Sequence, residues 1–267
     1  MQVNGCVAVV TGAGRGIGRA LCRELARRGA GAVVAADLDG EAAAATGAGL
    51  GGFGVACDVA SEAAVRALAA ETERRCGRVD LWISNAGFGG PALDLDDATS
   101  APNELWQRMW DVHVMAHVYA ARAVLPGMQA RGRGHLVNVA SAAGLLSQVG
   151  DAPYSATKHA AVAFAESLAI AHGDRGISVS VVCPQYVATR IIHLDEDAPP
   201  PVEGVLAVHQ AATAIVDGIE RDDFLILTHP EVLGYFQRKA ADYPRWLAGM
   251  RRVRETWRRG AFLGGRS

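Results

Sequence analysis

Tyr154 and Lys158 stand one helical turn apart, and the hydroxyl of Ser141 lies upstream of them. A phenol with an ordinary pKa of about 10 holds its proton too firmly for exchange at neutral pH, but an ammonium on the same helix face stabilises the phenolate. With a hydroxyl nearby to steady developing charge, such a phenol can pass a proton to or from an alcohol or carbonyl oxygen. Tyr-x-x-x-Lys alone is weak, and reads equally as a solvated helix face. Its context decides its meaning.

Near the N-terminus the apolar run Cys6 to Val10 enters Thr11-Gly12-Ala13-Gly14-Arg15-Gly16-Ile17-Gly18 and then the helix-like stretch Arg19 to Arg28. This reads strand, glycine turn, helix. Glycines allow a tight turn and close backbone approach to a pyrophosphate, whose charge is stabilised by free amides and the helix dipole. A second strand candidate, Ala32 to Ala36, ends in Asp37, at the spacing expected of an acid that binds a ribose.

Further strand-like runs at Phe53 to Cys57, Leu81 to Ser84, His135 to Val139, Ser178 to Val182 and Leu225 to Leu227 alternate with alanine-rich helical stretches. Alternation predicts βαβ units and therefore an α/β fold: a Rossmann-like, doubly wound parallel sheet flanked by helices. The helix within Glu41 to Gly52 is expected to be short and exposed, because the segment holds few large apolar residues. One domain spanning 1–267 is expected, with 190–222 a substrate lid and 230–259 a C-terminal helical extension. The acidic, proline-containing stretch Glu196 to Pro201 is expected to form a mobile loop.

Taken in order, these residues resemble the short-chain dehydrogenase/reductase family, over nearly the whole chain up to Arg190. The resemblance rests on the Thr-Gly-x-x-x-Gly-x-Gly turn at Thr11, Gly12, Gly16 and Gly18, on Asp58-Val59, Asn85-Ala86-Gly87 and Ser141, and on the Tyr154/Lys158 pair. It implies reversible hydride transfer between a carbinol carbon and a nicotinamide ring. Tyr154 would be the acid/base; Lys158 would lower its pKa and bind the nicotinamide ribose, and Ser141 would orient the substrate oxygen. Arg15 and Ile17 fall within the cofactor turn. Asp58 would bind the adenine amino group, Val59 would offer a backbone amide, and Asn85 would brace the strands beside Ala86 and Gly87. Pro184, Val187 and Thr189 would flank the nicotinamide.

Asp37 favours NAD, since a carboxylate at the ribose repels the additional phosphate of NADP and Leu38 supplies no compensating charge. Arg15 argues the other way, with less weight. Two positions depart from the family pattern. Gln185 stands where a glycine is usual, so the loop must differ or be strained if that position needs an unusual backbone. His113 stands where an asparagine is usual, either as a substituted helix residue of little kinetic consequence or as a titrating member of the proton relay; the first is preferred.

Ser141 lacks the Gly-x-Ser-x-Gly setting of a hydrolase nucleophile, and His159 falls on another helix face from Lys158. The net charge of −2 gives no global basic field for nucleic acid or an anionic membrane. Five cysteines, Cys6, Cys22, Cys57, Cys76 and Cys183, form no close metal-ligand pairs, and their odd number argues against a complete disulfide framework. A soluble, cytoplasmic protein that binds no metal is expected, and the resemblance adds a homo-oligomer, tetramer or dimer.

Substrate information is expected in Leu145 to Ala152, in the stretch after Arg190 and in the C-terminal segment. Ile191, Ile192 and Leu194 could form a lid, and Tyr235, Phe236 and Trp246 could line a cavity for a hydrophobic alcohol or ketone. Between Arg245 and Arg259, Trp246, Met250, Val253 and Trp257 recur at helical spacing among five arginines, an amphipathic basic helix expected to pack on the body or on a neighbouring subunit. A non-catalytic dinucleotide sensor or scaffold is the alternative reading.

Overall fold

Strands form where runs of valine, alanine, leucine and isoleucine can be buried on both sides of a sheet. In the computed structural model, which describes residues 1–260 apart from 91–93, 193, 197 and 201, every expected strand is present. In chain order the elements are β1 (Val7–Thr11), α1 (Gly16–Arg27), β2 (Ala32–Asp37), α2 (Gly40–Gly47), β3 (Phe53–Ala56), α3 (Glu62–Cys76) and β4 (Leu81–Ser84). There follow α4 (Asn103–Trp110), a π-helical turn at Asp111–Met115, α5 (Ala116–Ala130), β5 (Gly134–Val139), the short α6 (Ala143–Leu146), α7 (Ala152–His172) and β6 (Ile177–Val182). The chain then forms α8 (Val208–Arg221), β7 (Leu225–Ile226), α9 (Glu231–Ala241) and α10 (Tyr243–Arg258).

The seven strands lie in the order β3-β2-β1-β4-β5-β6-β7, with every pairing parallel. Side chains alternate between two buried layers, as the two-residue period of a strand requires. Ala8, Val10, Val33, Leu81 and Ile83 meet Leu21 and Leu25 of α1 and Ile215 and Ile219 of α8. Val9, Val34, Trp82 and Leu136 meet Leu68 of α3, Val124 of α5 and Leu168 of α7. Burying each leucine, isoleucine or valine contributes about 1.5–3 kcal/mol before the entropy of ordering is subtracted. The fold is thus a single Rossmann-like unit.

The helix within Glu41 to Gly52 is short, as expected, with Asp39 capping it by accepting a hydrogen bond from the amide of Ala42 at 3.0 Å. The stretch 190–222 divides in two: α8 packs against α1 as part of the sheet's cover, so only the portion before it stands over the cleft. Of the expected mobile loop, Asp197 and Pro201 lie outside the described residues. All five cysteines are free, and four of them are buried. No helix among the described residues is long and apolar enough to cross a membrane.

The strand order reverses between β1 and β4, where successive crossovers leave towards opposite sides. That divergence opens a crevice beyond the carboxyl ends of the strands, the place where sheets of this kind hold ligands.

Candidate active site

The crevice is a cleft of about 1430 Å³, running from Asp37 and Asp58 at one end to Ser141, Tyr154 and Lys158 at the other. Its floor is the turn between β1 and α1. Gly12 has φ of +64°, and a Cβ there would stand 2.7 Å from Cα of Ala86; one on Gly18 would stand 2.1 Å from the carbonyl oxygen of Gly12. No side chain fits either place. The turn is tied to β4 by Thr11, whose hydroxyl accepts from the amides of Asn85 at 3.0 Å and Ala86 at 3.2 Å. Asn85 in turn donates through Nδ2 to the carbonyl oxygens of Thr11 and Gly12, at 2.9 and 3.2 Å. Asn85 therefore ties the end of β4 to the turn after β1.

Asp37, at the end of β2, accepts from the amide of Gly14 at 2.8 Å and from that of Asp39 at 3.0 Å. Its carboxylate is thereby held beside the glycine turn. Arg15, Gly16 and Ile17 line the same part of the cleft, and Asp58 and Val59 line its end. Ala86, Gly87, Pro184, Val187 and Thr189 line the stretch nearer Tyr154.

The acid/base candidates sit where the sheet hands over to α7. Asp151 caps that helix by accepting from the amide of Tyr154 at 3.1 Å, and its other oxygen accepts from Gly90 at 3.0 Å. The cap fixes Tyr154 in the first turn and ties it to the loop after β4. Ser141, just beyond β5, accepts from the amide of Ala143 at 3.1 Å. Burial pushes the Tyr154 phenol up from its ordinary value, and a hydrogen bond with Ser141 works against that rise. Lys158 is 3% exposed and donates to the carbonyl oxygen of Val139 at 3.1 Å. Burial brings its ammonium down to about 8.

The expectation that Lys158 depresses the tyrosine pKa is therefore not met in the protein alone. Nζ lies 5.6 Å from the centre of the tyrosine ring, and burial is the largest influence on the phenol, with the hydrogen bond from Ser141 the one that opposes it.

His113 sits inside the π-helical turn, fully buried. Its Nε2 accepts from the amide of Phe88 at 3.2 Å, which leaves the proton on Nδ1, 3.0 Å from the hydroxyl of Thr157. Burial, helped by the charge of Lys158, holds the ring neutral, with its pKa well below the usual histidine range. The arrangement makes His113 a brace between the loop after β4 and α7 rather than a titrating relay. Gln185 is accommodated without positive φ, its amide donating to Nδ1 of His229 at 3.3 Å. The strain considered for that position is absent. His159 packs away from the cleft, with Nδ1 2.8 Å from the carbonyl oxygen of Ser155 and Nε2 3.3 Å from Nζ of Lys239.

Four residues of the site escaped the reading of the sequence. Asp151 was signalled by Asp-Ala-Pro at a helix start. Thr11 and Gly14 lay within the turn but had no assigned role. Glu196, 8% exposed, had no local signal: it reaches back so that one oxygen is 3.3 Å from Nη2 of Arg19, while the other would touch a Cβ on Gly16 at 3.2 Å. A carboxylate there competes for the space of a pyrophosphate at the turn. Glu196→Gln is expected to tighten binding of a dinucleotide by about three- to tenfold, read by calorimetric titration; unchanged or weaker binding would show that the loop moves clear at no cost.

A second cavity of about 700 Å³ opens from the same place, sharing Ser141, Gln148, Gln185 and Tyr186 with the cleft. Tyr235 and Trp246 line it as expected, and so do Met250, Val253 and Trp257, the full apolar stripe of α10. Phe236 instead packs against the main core. Ile191 and Ile192 line the first cleft.

The family model described as short chain dehydrogenase matches residues 6–198. Epidermal retinol dehydrogenase 2 of Mus musculus is 34% identical over 88% of this chain and 77% of its own length. The 1-deoxy-11-beta-hydroxypentalenate dehydrogenase of Streptomyces avermitilis is 35% identical over 86% of this chain and 87% of its own. Among solved structures, a short chain dehydrogenase/reductase from Burkholderia phymatum in complex with NAD superposes with a TM-score of 0.79 at 32% identity, covering 91% of this chain and 96% of that one.

Proposed function

The chain belongs to the short-chain dehydrogenase family of oxidoreductases, and from that premise we propose that it interconverts a hydrophobic secondary alcohol and its ketone, using NAD and Tyr154 as acid/base. The observation that carries this reading is that Ser141, Tyr154 and Lys158 line one end of the long cleft, and that Ser141 also lines the second cavity. One space suits a dinucleotide and the other a substrate.

The residues present fit the cofactor, because the turn offers backbone without side chains and the cleft is long enough to continue from Asp37 to Tyr154. Gly12, Arg15, Gly16, Ile17 and Gly18 would surround the pyrophosphate, Asp37 the adenosine ribose, and Asp58 with Val59 the adenine. Asn85, Ala86 and Gly87 would face the middle of the molecule; Lys158, Pro184, Val187 and Thr189 would hold its nicotinamide end. When bound, it supplies the acceptor or donor of the hydride.

In the reducing direction Ser141 donates to the substrate oxygen and Tyr154 delivers the proton. Lys158 stabilises the phenolate left behind, and charge on Tyr154 in turn favours the ammonium of Lys158. His113, neutral and immobile, keeps the loop and α7 in register while this occurs. A relative named for retinol and another named for a hydroxypentalenate support an apolar substrate body. The non-catalytic alternative rests on Gln185, His113 and the basic tail; neither of the first two distorts the proton-transfer residues, and the tail helix lines the second cavity beside Ser141. A homo-oligomer in the cytoplasm is part of the proposal, supported by the family resemblance, the free cysteines and Ile170, 84% exposed on α7.

Absorbance of the reduced nicotinamide with a panel of apolar ketones, NADH against NADPH, tests the reading. NADH is expected to be preferred, and Asp37→Ala to lower the NADH to NADPH ratio of kcat/KM at least tenfold by removing charge that opposes the ribose phosphate. Preference for NADPH by the unaltered protein would overturn the assignment of Asp37.

A further inference from the structure

We propose that the second cavity selects substrates that end in an anion, a carboxylate or a phosphate, at the end remote from the reacting carbon; this deepens the alcohol/ketone reading and rests on it. A substrate whose oxygen lies at Ser141 has two directions open to it. The cleft is the place of the dinucleotide, so the substrate body extends into the space of about 700 Å³ between α6, α9 and α10. Its walls are apolar, with Leu146, Val149, Tyr235, Trp246, Met250 and Trp257 among them. Such walls suit a medium-length hydrocarbon body.

The charges around that cavity are not balanced. Arg238, Arg245 and Arg252 line it, against the single carboxylate of Asp242. Asp242 is already engaged as the cap of α10, accepting from the amide of Arg245 at 2.9 Å. Arg245 and Arg252 lie two turns apart on one stripe of α10, and Arg238 comes from α9 over the ring of Tyr235 at 4.8 Å. Among the described residues none of the three guanidiniums is paired with a carboxylate, whereas Arg254 and Arg258 of the same helix pair with Glu255 and, for Arg258, also Asp96. Guanidiniums with no carboxylate partner, of which Arg252 gives one Nη1 donor to the carbonyl oxygen of Ala248 at 3.3 Å, present planar donors beside an apolar pocket that match a carboxylate or phosphate. The helix therefore supplies an apolar wall and a cationic rim from the same two turns.

The test uses the intact protein with NADH and three methyl ketones on one saturated medium-length chain, ending in a carboxylate, its methyl ester or a phosphate monoester. The expected result is a kcat/KM for the carboxylate or the phosphate at least about tenfold above the ester, expressed mainly in KM, with the better of the two identifying the anion. In Arg245→Ala/Arg252→Ala the acid to ester ratio falls to about one, and Arg245→Glu lowers it further. Binding of the carboxylate is followed in parallel by quenching of the tryptophan fluorescence of the cavity. If no ketone turns over but the carboxylate binds in an arginine-dependent manner, the anion site stands and the alcohol/ketone reading falls. Equal turnover of acid and ester by the unaltered protein overturns the proposal, as does a preference that survives loss of both arginines. Arginine-dependent binding to phosphatidylserine vesicles, together with equal turnover of acid and ester, assigns the basic face to a membrane surface and also overturns it.

Discussion

Tyr154→Phe is expected to lower kcat by about 10²–10⁴-fold, the usual contribution of a positioned acid/base, while leaving the affinity for NAD within about threefold. The substitution removes one oxygen and keeps the ring, which packs edge-on against His113 with centroids 5.6 Å apart. The helix cap is untouched, because Asp151 bonds the backbone of Tyr154 and not its side chain. The loss therefore reports on proton transfer and not on folding, and stopped-flow absorbance with separate cofactor titration distinguishes the two. Retention of more than about a tenth of kcat would remove Tyr154 from the chemistry and leave Ser141 as the remaining donor to the substrate oxygen.

Lys158→Met is expected to abolish turnover and, in the opposite sense, to stabilise the fold. The ammonium is buried, and its pKa falls from 10.5 to about 8. At about 1.4 kcal/mol per unit, burying the charged form costs about 3 kcal/mol near neutral pH. Methionine fills similar space without the charge, although the carbonyl of Val139 loses its partner, so the net gain is about 1–3 kcal/mol. The folded state binds fewer protons than the unfolded state between about pH 8 and pH 10.5, so the stability of the unaltered protein rises with pH across that window. The advantage of Lys158→Met is accordingly largest below about pH 8 and shrinks as pH climbs towards 10.5. Urea unfolding near pH 7 and near pH 9.5 measures both. A variant less stable than the parent at both values would mean that the bond from Lys158 to Val139 outweighs desolvation, and that the ammonium is structural rather than held at a cost for function.

The parts of this site visible in the sequence are those that obey local rules. The glycine turn is legible because Gly12 and Gly18 occupy positions no Cβ could share, and Tyr154 with Lys158 because helical spacing alone puts them on one face. The strands are legible because both layers of a covered parallel sheet demand continuous apolar runs. What escaped depends on chain reversal or on desolvation. Glu196 reaches Gly16 across a long separation in sequence that no periodicity encodes. The raised pKa of Tyr154 follows from burial, which spacing does not report; spacing showed only the attraction of Lys158. His113 looked like a possible titrating group until its partners Phe88 and Thr157, from two different elements, were placed on its two nitrogens. The amphipathic stripe of α10 was visible, but that it roofs a cavity joined to Ser141 depended on how α9 and α10 pack.

Hydride is expected to pass between a carbinol carbon and a nicotinamide held beside Tyr154. Reduced NAD deuterated at the transferring position, incubated with an apolar ketone and followed by mass spectrometry of the product, tests it most directly. Deuterium on the carbinol carbon of the alcohol, appearing with the unaltered protein and appearing about 10²–10⁴-fold more slowly with Tyr154→Phe, is the predicted result. Tight binding of the cofactor with no label transferred to any ketone, and none removed from any alcohol in the reverse direction, would contradict it.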